Sequence, residues 1–286
     1  MNIFINIILI IGLCITPFSR SQELKIVKDE THFNPPTAFG APKPPWMAKL
    51  DAIGKAYANA FLKKNRVGAI LELFADSGKG GIWIDPVGQV NNTFIGIDEI
   101  TNLWSQIPKI TFSENQEIFY TASSKIFLAK TKIQMERASG PTIILDILEV
   151  NDDMKIVKIQ THFNPPTAFG AKRPPWMDEM DKFAQTYLDA YSYPIIQQTN
   201  RTDAFLALFE NDGDEAIWID PVGGTQPPWT GRSGITKLFS GIPKVTSSNL
   251  KEIYYTASSK IFLIKYEIVM VGASGPTIIV DRLTLA

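Results

Sequence analysis

Two aspartates stand in the same seven-residue setting, Asp85 within Ile82–Gly88 and Asp220 within Ile217–Gly223, both reading Ile-Trp-Ile-Asp-Pro-Val-Gly. Strand alternation places Trp83 and Asp85 on one face and Ile82 and Ile84 on the other. An aspartate that shares a face with tryptophan is either at the wet end of its strand or partly desolvated. Desolvation raises a carboxylate's pKa and makes it a usable base near neutrality. Asp-Pro also commonly begins a turn, so on these residues alone the structural and the chemical role both stand.

A second pair of acids lies in apolar sequence: Asp146 in Thr-Ile-Ile-Leu-Asp-Ile-Leu-Glu-Val and Asp281 in Thr-Ile-Ile-Val-Asp-Arg-Leu-Thr-Leu. Alternation groups Asp146 with Ile144 and Leu148, and Asp281 with Ile279 and Leu283. An acid on such a face is protonated in a pocket, paired, or solvated at an edge. The third pair is Tyr57 and Tyr187. Each sits on an apolar helical stripe: Leu50, Ile53, Tyr57 and Phe61 in one, Met180, Phe183, Tyr187 and Tyr191 in the other. A core tyrosine that reaches a backbone acceptor would account for either residue alone. Taken together, the three types supply one carboxylate to move a proton and two O–H donors, a phenol and a protonated acid, to hold an oxyanion.

Each residue occurs twice because the chain repeats itself. Thr-His-Phe-Asn-Pro-Pro-Thr-Ala-Phe-Gly-Ala begins at Thr31 and again at Thr161, 130 residues on, and Tyr-Thr-Ala-Ser-Ser-Lys-Ile-Phe-Leu begins at Tyr120 and at Tyr255, 135 residues on. The five-residue difference is expected within Tyr191–Asn200. A period this long indicates duplicated domains, not a solenoid. In each copy a Pro-Pro-Trp opens a helix. A short helix, the Ile-Trp-Ile-Asp strand, a third helix and a run of strands follow, with Ile118–Met135 read as one strand and Gly140–Val150 as the next. Helices followed by antiparallel strands make an α+β pattern.

The ends break the repeat. The second copy stops in the strand Gly275–Ala286, without the partner that follows Val150 in the first, and a copy of that partner, Leu24–Phe33, stands ahead of the first helix. An unpaired apolar edge strand invites aggregation, so Leu24–Phe33 is expected to pair with Pro276–Leu285. The expected division is a secretory signal over 1–22, a displaced strand and linker over 23–45, a first domain over 46–164, a linker over 165–175 and a second domain over 176–286.

The apolar run Ile3–Phe18 is short for a membrane span and leads to secretion as the expected location, with no membrane contact after cleavage. Cys14, the one cysteine, lies inside it, so the mature chain would have no disulfide and no thiol nucleophile. A net charge of −1 without a basic cluster gives no footprint for nucleic acid. His32 and His162 have no cysteine or second histidine beside them, which argues against a metal site and for a structural or surface role. No cofactor is expected.

The set of residues and their order resemble the ketosteroid isomerases, within the nuclear-transport-factor-2-like and SnoaL-like superfamily. The opening Ala56–Gly88 is similar to that family's helix-borne tyrosine, its Leu-Phe-Ala-Asp and its Asp-Pro-Val-Gly. Ile144–Phe163 is similar to its last hairpin, with Asp146 nine residues before Lys155. The resemblance implies two tandem cone-shaped α+β barrels, each a curved antiparallel sheet wrapped by helices, and an intramolecular pseudo-dimer or a homodimer formed by strand exchange. It implies Asp85 and Asp220 as proton-shuttling bases, and Tyr57 and Tyr187 with protonated Asp146 and Asp281 as oxyanion donors. A carboxylic acid kept neutral by its apolar site is a known device of that family. The implied reaction is isomerisation of an apolar ketone, a steroid being one such ligand. A non-catalytic carrier of an apolar small molecule and a SnoaL-like lyase or cyclase are the competing expectations.

Overall fold

The computed structural model of the chain describes residues 24–34, 42–85, 92–121, 123–164, 173–191, 201–220, 228–256 and 258–286. The expected signal segment, most of both proline-rich linkers and the expected five-residue insertion lie outside the described residues.

The displaced N-terminal strand, β1 (Ile26–Asn34), pairs antiparallel with the C-terminal strand, β12 (Thr277–Leu285), from Ile26 opposite Leu285 to Asn34 opposite Ile278. Two four-stranded runs result. One is β4 (Ile110–Tyr120), β5 (Ile126–Met135), β6 (Thr142–Val150) and β7 (Ile156–Phe163); the other is β10 (Val245–Tyr255), β11 (Ile261–Met270), β12 and β1. They meet at both margins through single bridges, Phe33 with Tyr120 and Tyr255 with Phe163. Register shifts near Asn115 in β4 and near Leu250 in β10 bend the long strands.

Short strands extend each run. β2 (Ile82–Asp85) lies parallel to β7 and pairs with β3 (Asn92–Ile95); β8 (Ile217–Ile219) lies parallel to β1 and pairs with β9 (Trp229–Thr230). Among the described residues six α-helices cover the sheets: α1 (Pro45–Ala60), α2 (Arg66–Leu71), α3 (Gly96–Gln106), α4 (Pro175–Tyr191), α5 (Arg201–Leu206) and α6 (Gly231–Gly241). Gly96 and Gly231 open α3 and α6 at φ of 81° and 67°, where a side chain would be strained, and this lets their N–H groups reach back to Gly81 and Ala216. The fold is thus mixed α+β, with a large curved sheet and packed helices. Among the described residues no helix is long and apolar enough to cross a membrane.

One reading of the strands is corrected. Ile118–Met135 is not one strand: β4 ends at Tyr120 and β5 begins at Ile126. Hydroxyls make the break, since Thr121 accepts from the Ser123 N–H at 2.9 Å and Ser123 from the Lys125 N–H at 3.1 Å, and they give the backbone an alternative to the ladder. Thr256 and Ser258 do the same before β11.

Apolar side chains gather in three places. One core contains Met47, Leu50, Tyr57, Phe61, Trp83, Phe127 and Leu148; a second contains Ile26, Met180, Tyr187, Trp218, Phe262 and Leu283. The third is smaller and joins Phe119, Leu128, Leu145 and Ile147 to Tyr254, Leu263 and Val280 across the two runs. Beside it Lys130 donates to both carboxylate oxygens of Glu252, at 2.8 and 2.7 Å, and Lys265 donates to Glu117. The same interior face carries the two histidines, which are not surface residues: His32 is 3% and His162 0% exposed. Burial pushes their pKa values down, to about 4 for His32 and about 3 for His162.

Candidate functional site

α1 turns its buried stripe, including Met47, Leu50 and Tyr57, towards the sheet. A Cβ on Gly54, one turn before Tyr57, would come 2.5 Å from Ile118 Cδ1, so the glycine lets the helix lie close against β4. From there the Tyr57 hydroxyl donates to Oδ2 of Asp146 at 2.9 Å. Both residues are fully buried. Asp146 stands on β6 opposite Thr161 of β7, and the Trp83 indole N–H donates to the Thr161 hydroxyl at 3.1 Å.

Burial pushes Asp146 up to about 7; hydrogen bonds from Thr161 and Tyr57 restrain that rise, and the Asp85 charge adds to it. Burial, then the charge of Asp146, raises Tyr57 well above the ordinary phenol range. Asp85 closes β2 at 5% exposure, with Trp83 on the same buried face, as alternation requires. Its charge is felt by both Tyr57 and Asp146. Among the described residues Oδ1 of Asp146 has no hydrogen-bond partner. A neutral Asp146 that accepts from Tyr57 on Oδ2 carries its own proton on that other oxygen.

The second half brings Tyr187 and Asp281 together in the same way, at 2.7 Å, and Trp218 donates to Thr31 at 3.0 Å as Trp83 does to Thr161. Asp220, 4% exposed, ends the equivalent strand. Three further polar residues enter here. Asp29 of β1 places Oδ2 2.7 Å from the same Tyr187 hydroxyl, Tyr266 of β11 donates to Asp281, and Tyr191 packs on both tyrosine rings. Burial, then the charge of Asp281, raises Asp29 well above the carboxylate range, and burial lifts Asp281 to about 6.

None of these three was named as a site residue from sequence, yet all were visible there. Asp29, Tyr191 and Tyr266 replace Ile159, Phe61 and Thr131 of the other copy. At Asp29 and Tyr191 the signal is a polar residue replacing an apolar one inside an otherwise repeated core strand or helix; at Tyr266 a phenol replaces a smaller hydroxyl.

Aromatic rings surround both sites. Tyr57 lies 4.7 Å from Phe61 and 6.1 Å from Trp83 between ring centroids; Phe205 and Phe239 stack at 4.2 Å beside Trp218. Two surface clefts, of about 720 Å³ along Thr230–Ser233 and about 260 Å³ beside Lys43, Asp51 and Tyr120, contain none of the six predicted site residues. Asp85 and Asp220 immediately precede segments 86–91 and 221–227, which lie outside the described residues. Among the described residues no group of three or more His, Cys, Asp or Glu is placed to hold a metal ion.

No family model matches the chain, and no curated protein matches it. Solved structures do. A steroid delta-isomerase from Pseudomonas aeruginosa is 12% identical over 51% of this chain and 96% of its own, with a TM-score of 0.33. A SnoaL-like protein of unknown function from Burkholderia thailandensis is 17% identical over 43% of this chain and all of its own, at 0.35. A protein with a ketosteroid-isomerase-like fold from Catenulispora acidiphila is 16% identical over 42% of this chain and 85% of its own, at 0.30.

Proposed function

We propose that the chain is a secreted tandem pair of ketosteroid-isomerase-like domains, packed as an intramolecular pseudo-dimer, that moves a carbon–carbon double bond into conjugation with a ketone. The observation that carries the reading is the Tyr57–Asp146 pair: two fully buried oxygen acids 2.9 Å apart, one with an oxygen left over, beside a second buried carboxyl at Asp85. The tandem organisation is supported by the repeat, by the separate cores and by the reciprocal ion pairs between the runs.

In this mechanism the Asp85 carboxylate takes a proton from the carbon between the ketone and the isolated double bond. The released electron pair moves onto the ketone oxygen, which becomes a dienolate held by the carboxylic acid of Asp146 and by the hydroxyl of Tyr57, which turns from Asp146 Oδ2 to the substrate oxygen. Asp85 then returns the same proton to the far carbon of the dienolate, so nothing is consumed. Asp220, Tyr187 and Asp281 stand at the matching positions of the second half. The proposed ligand is an apolar enone precursor such as a 3-oxo-steroid, matched to the aromatic rings around Tyr57.

The experiment is an absorbance assay of purified protein with a Δ5-3-ketosteroid, following the conjugated product. Turnover that vanishes in the Asp85→Asn, Asp220→Asn double variant supports the reading; no turnover, or turnover unchanged by the double substitution, removes it. A carrier of an apolar small molecule is the second reading, and retained steroid binding without turnover would be its mark.

A further inference from the structure

A phenol has one proton to donate, and Tyr187 faces two carboxyl oxygens at the same distance. Oδ2 of Asp29 and Oδ2 of Asp281 each lie 2.7 Å from its hydroxyl, and all three groups are fully buried. If both acids were ionised, one close oxygen–oxygen contact would have no hydrogen in it, between like-charged groups out of water. The proton must come from one of the acids. Tyr266 decides which, because its hydroxyl also points to Oδ2 of Asp281. An oxygen that accepts from two tyrosines is the ionised one, and the acid on the other side of Tyr187 is the one that donates.

We propose that the second half is a carboxylic acid–tyrosine–carboxylate relay, in which Asp29 carries a proton and donates it to Tyr187, while Tyr187 and Tyr266 both donate to an ionised Asp281. The inequality of the two acids follows from their surroundings. Asp281 has two tyrosine donors that stabilise its charge and Asp29 has only the shared one, while Asp281, Asp220 and Glu30 all place negative charge near Asp29. The first half holds no such relay, since Ile159 and Thr131 stand where Asp29 and Tyr266 do, and Asp146 faces Tyr57 alone among tyrosines.

Asp29 therefore acts through Tyr187, as a positioning residue. Its effect rests, for turnover, on the isomerase reading: an ionised Asp281 cannot be the second O–H donor to an oxyanion, so the two-donor arrangement belongs to the first half alone. The relay itself stands on hydrogen-bond geometry and is independent of any activity.

Infrared spectroscopy tests it on the full chain labelled with ¹³C at the aspartate side-chain carboxyl. At about pH 9, where Asp146 and Asp281 are both ionised, wild type is expected to keep one isotope-shifted carboxylic acid band. Asp29→Asn, which preserves shape and an N–H donor, should lose that band. Tyr187→Phe should keep it and move it to higher frequency, because the acid's O–H has lost its acceptor. Absence of the band from wild type, its persistence in Asp29→Asn, or an unmoved band in Tyr187→Phe would each overturn the relay. None of these outcomes depends on whether the protein turns over a steroid.

Discussion

Thr31 stands directly across from Asp281 in the β1–β12 ladder, the same register in which Thr161 stands across from Asp146 between β7 and β6. The first strand of the chain thus takes, in the second half, the place that β7 takes in the first. It also delivers Asp29 and the Thr31 acceptor of Trp218 into the second core.

Removing residues 24–34 should therefore damage one half and spare the other. The β12 edge loses its ladder and becomes an apolar template for other chains. Amide hydrogen exchange is expected to show β12 and β11 exposed while β5 and β6 keep their protection, together with concentration-dependent association. Equal loss of protection in both halves, or none in either, would contradict the assigned pairing.

The ion pairs between the runs are nearly buried at their lysine ends, with the Lys130 and Lys265 side chains each 9% exposed, and about a quarter exposed at Glu252 and Glu117. Lys130→Met leaves Lys265 as the one lysine of this cluster shared by Glu117 and Glu252, and it should lower stability by about 1–3 kcal/mol. Adding Glu252→Gln should recover part of that loss. A denaturation double-mutant cycle measures the coupling; strictly additive costs would mean that the pair is a surface contact without consequence.

Stability against pH has opposing contributors, of which the histidines and Asp146 are examples. His32 and His162 are held neutral, at about 4 and about 3, so their contribution is complete above the unfolded value near 6.5 and is lost as pH falls towards 4. Asp146 is raised to about 7, so its contribution is complete below the unfolded value near 4 and is lost as pH rises through 7. Asp146→Asn, which cannot ionise, is expected to gain on wild type steadily between about pH 4 and pH 7, by up to about 4 kcal/mol, and to gain no more above that. Chemical denaturation at a series of pH values reads this directly. A constant difference between the two proteins across the window would show that Asp146 is not shifted.

Much of this was legible in the sequence because alternation decides faces. Trp83 and Asp85 fall on the face that the fold buries, whereas β6 buries Leu145 and Ile147 as well as Asp146 and Leu148 and leaves Ile144 partly exposed. Pairing of the first strand with the last followed from counting strands in a repeat and finding one out of place. What stayed hidden depends on positions that only tertiary contact brings together. Asp29 sat in a strand valued for its apolar pattern, and Lys130 and Glu252 are far apart in sequence with no motif between them. The turn after Tyr120 escaped because its hydroxyls, and no glycine or proline, make the break.

The halves should differ in activity. Tyr57→Phe removes a donor from the site where the acid opposite is neutral, and it should lower kcat by about 10²-fold. Tyr187→Phe should change it less than about threefold, the level of a peripheral substitution, because Asp281 is ionised there. Steady-state kinetics with the same ketone separates the two; equal losses would show that both halves work alike.

The most direct test of the central claim, proton transfer by a carboxylate beside the Tyr57–Asp146 pair, is isotope tracing in deuterated water. Because Asp85 would carry the abstracted proton to the far carbon inside a water-poor site, the conjugated product should retain most of the substrate's original hydrogen there, and the Asp85→Asn, Asp220→Asn double variant should abolish its formation. Product fully deuterated at that carbon, or undiminished formation in the double variant, would contradict the account.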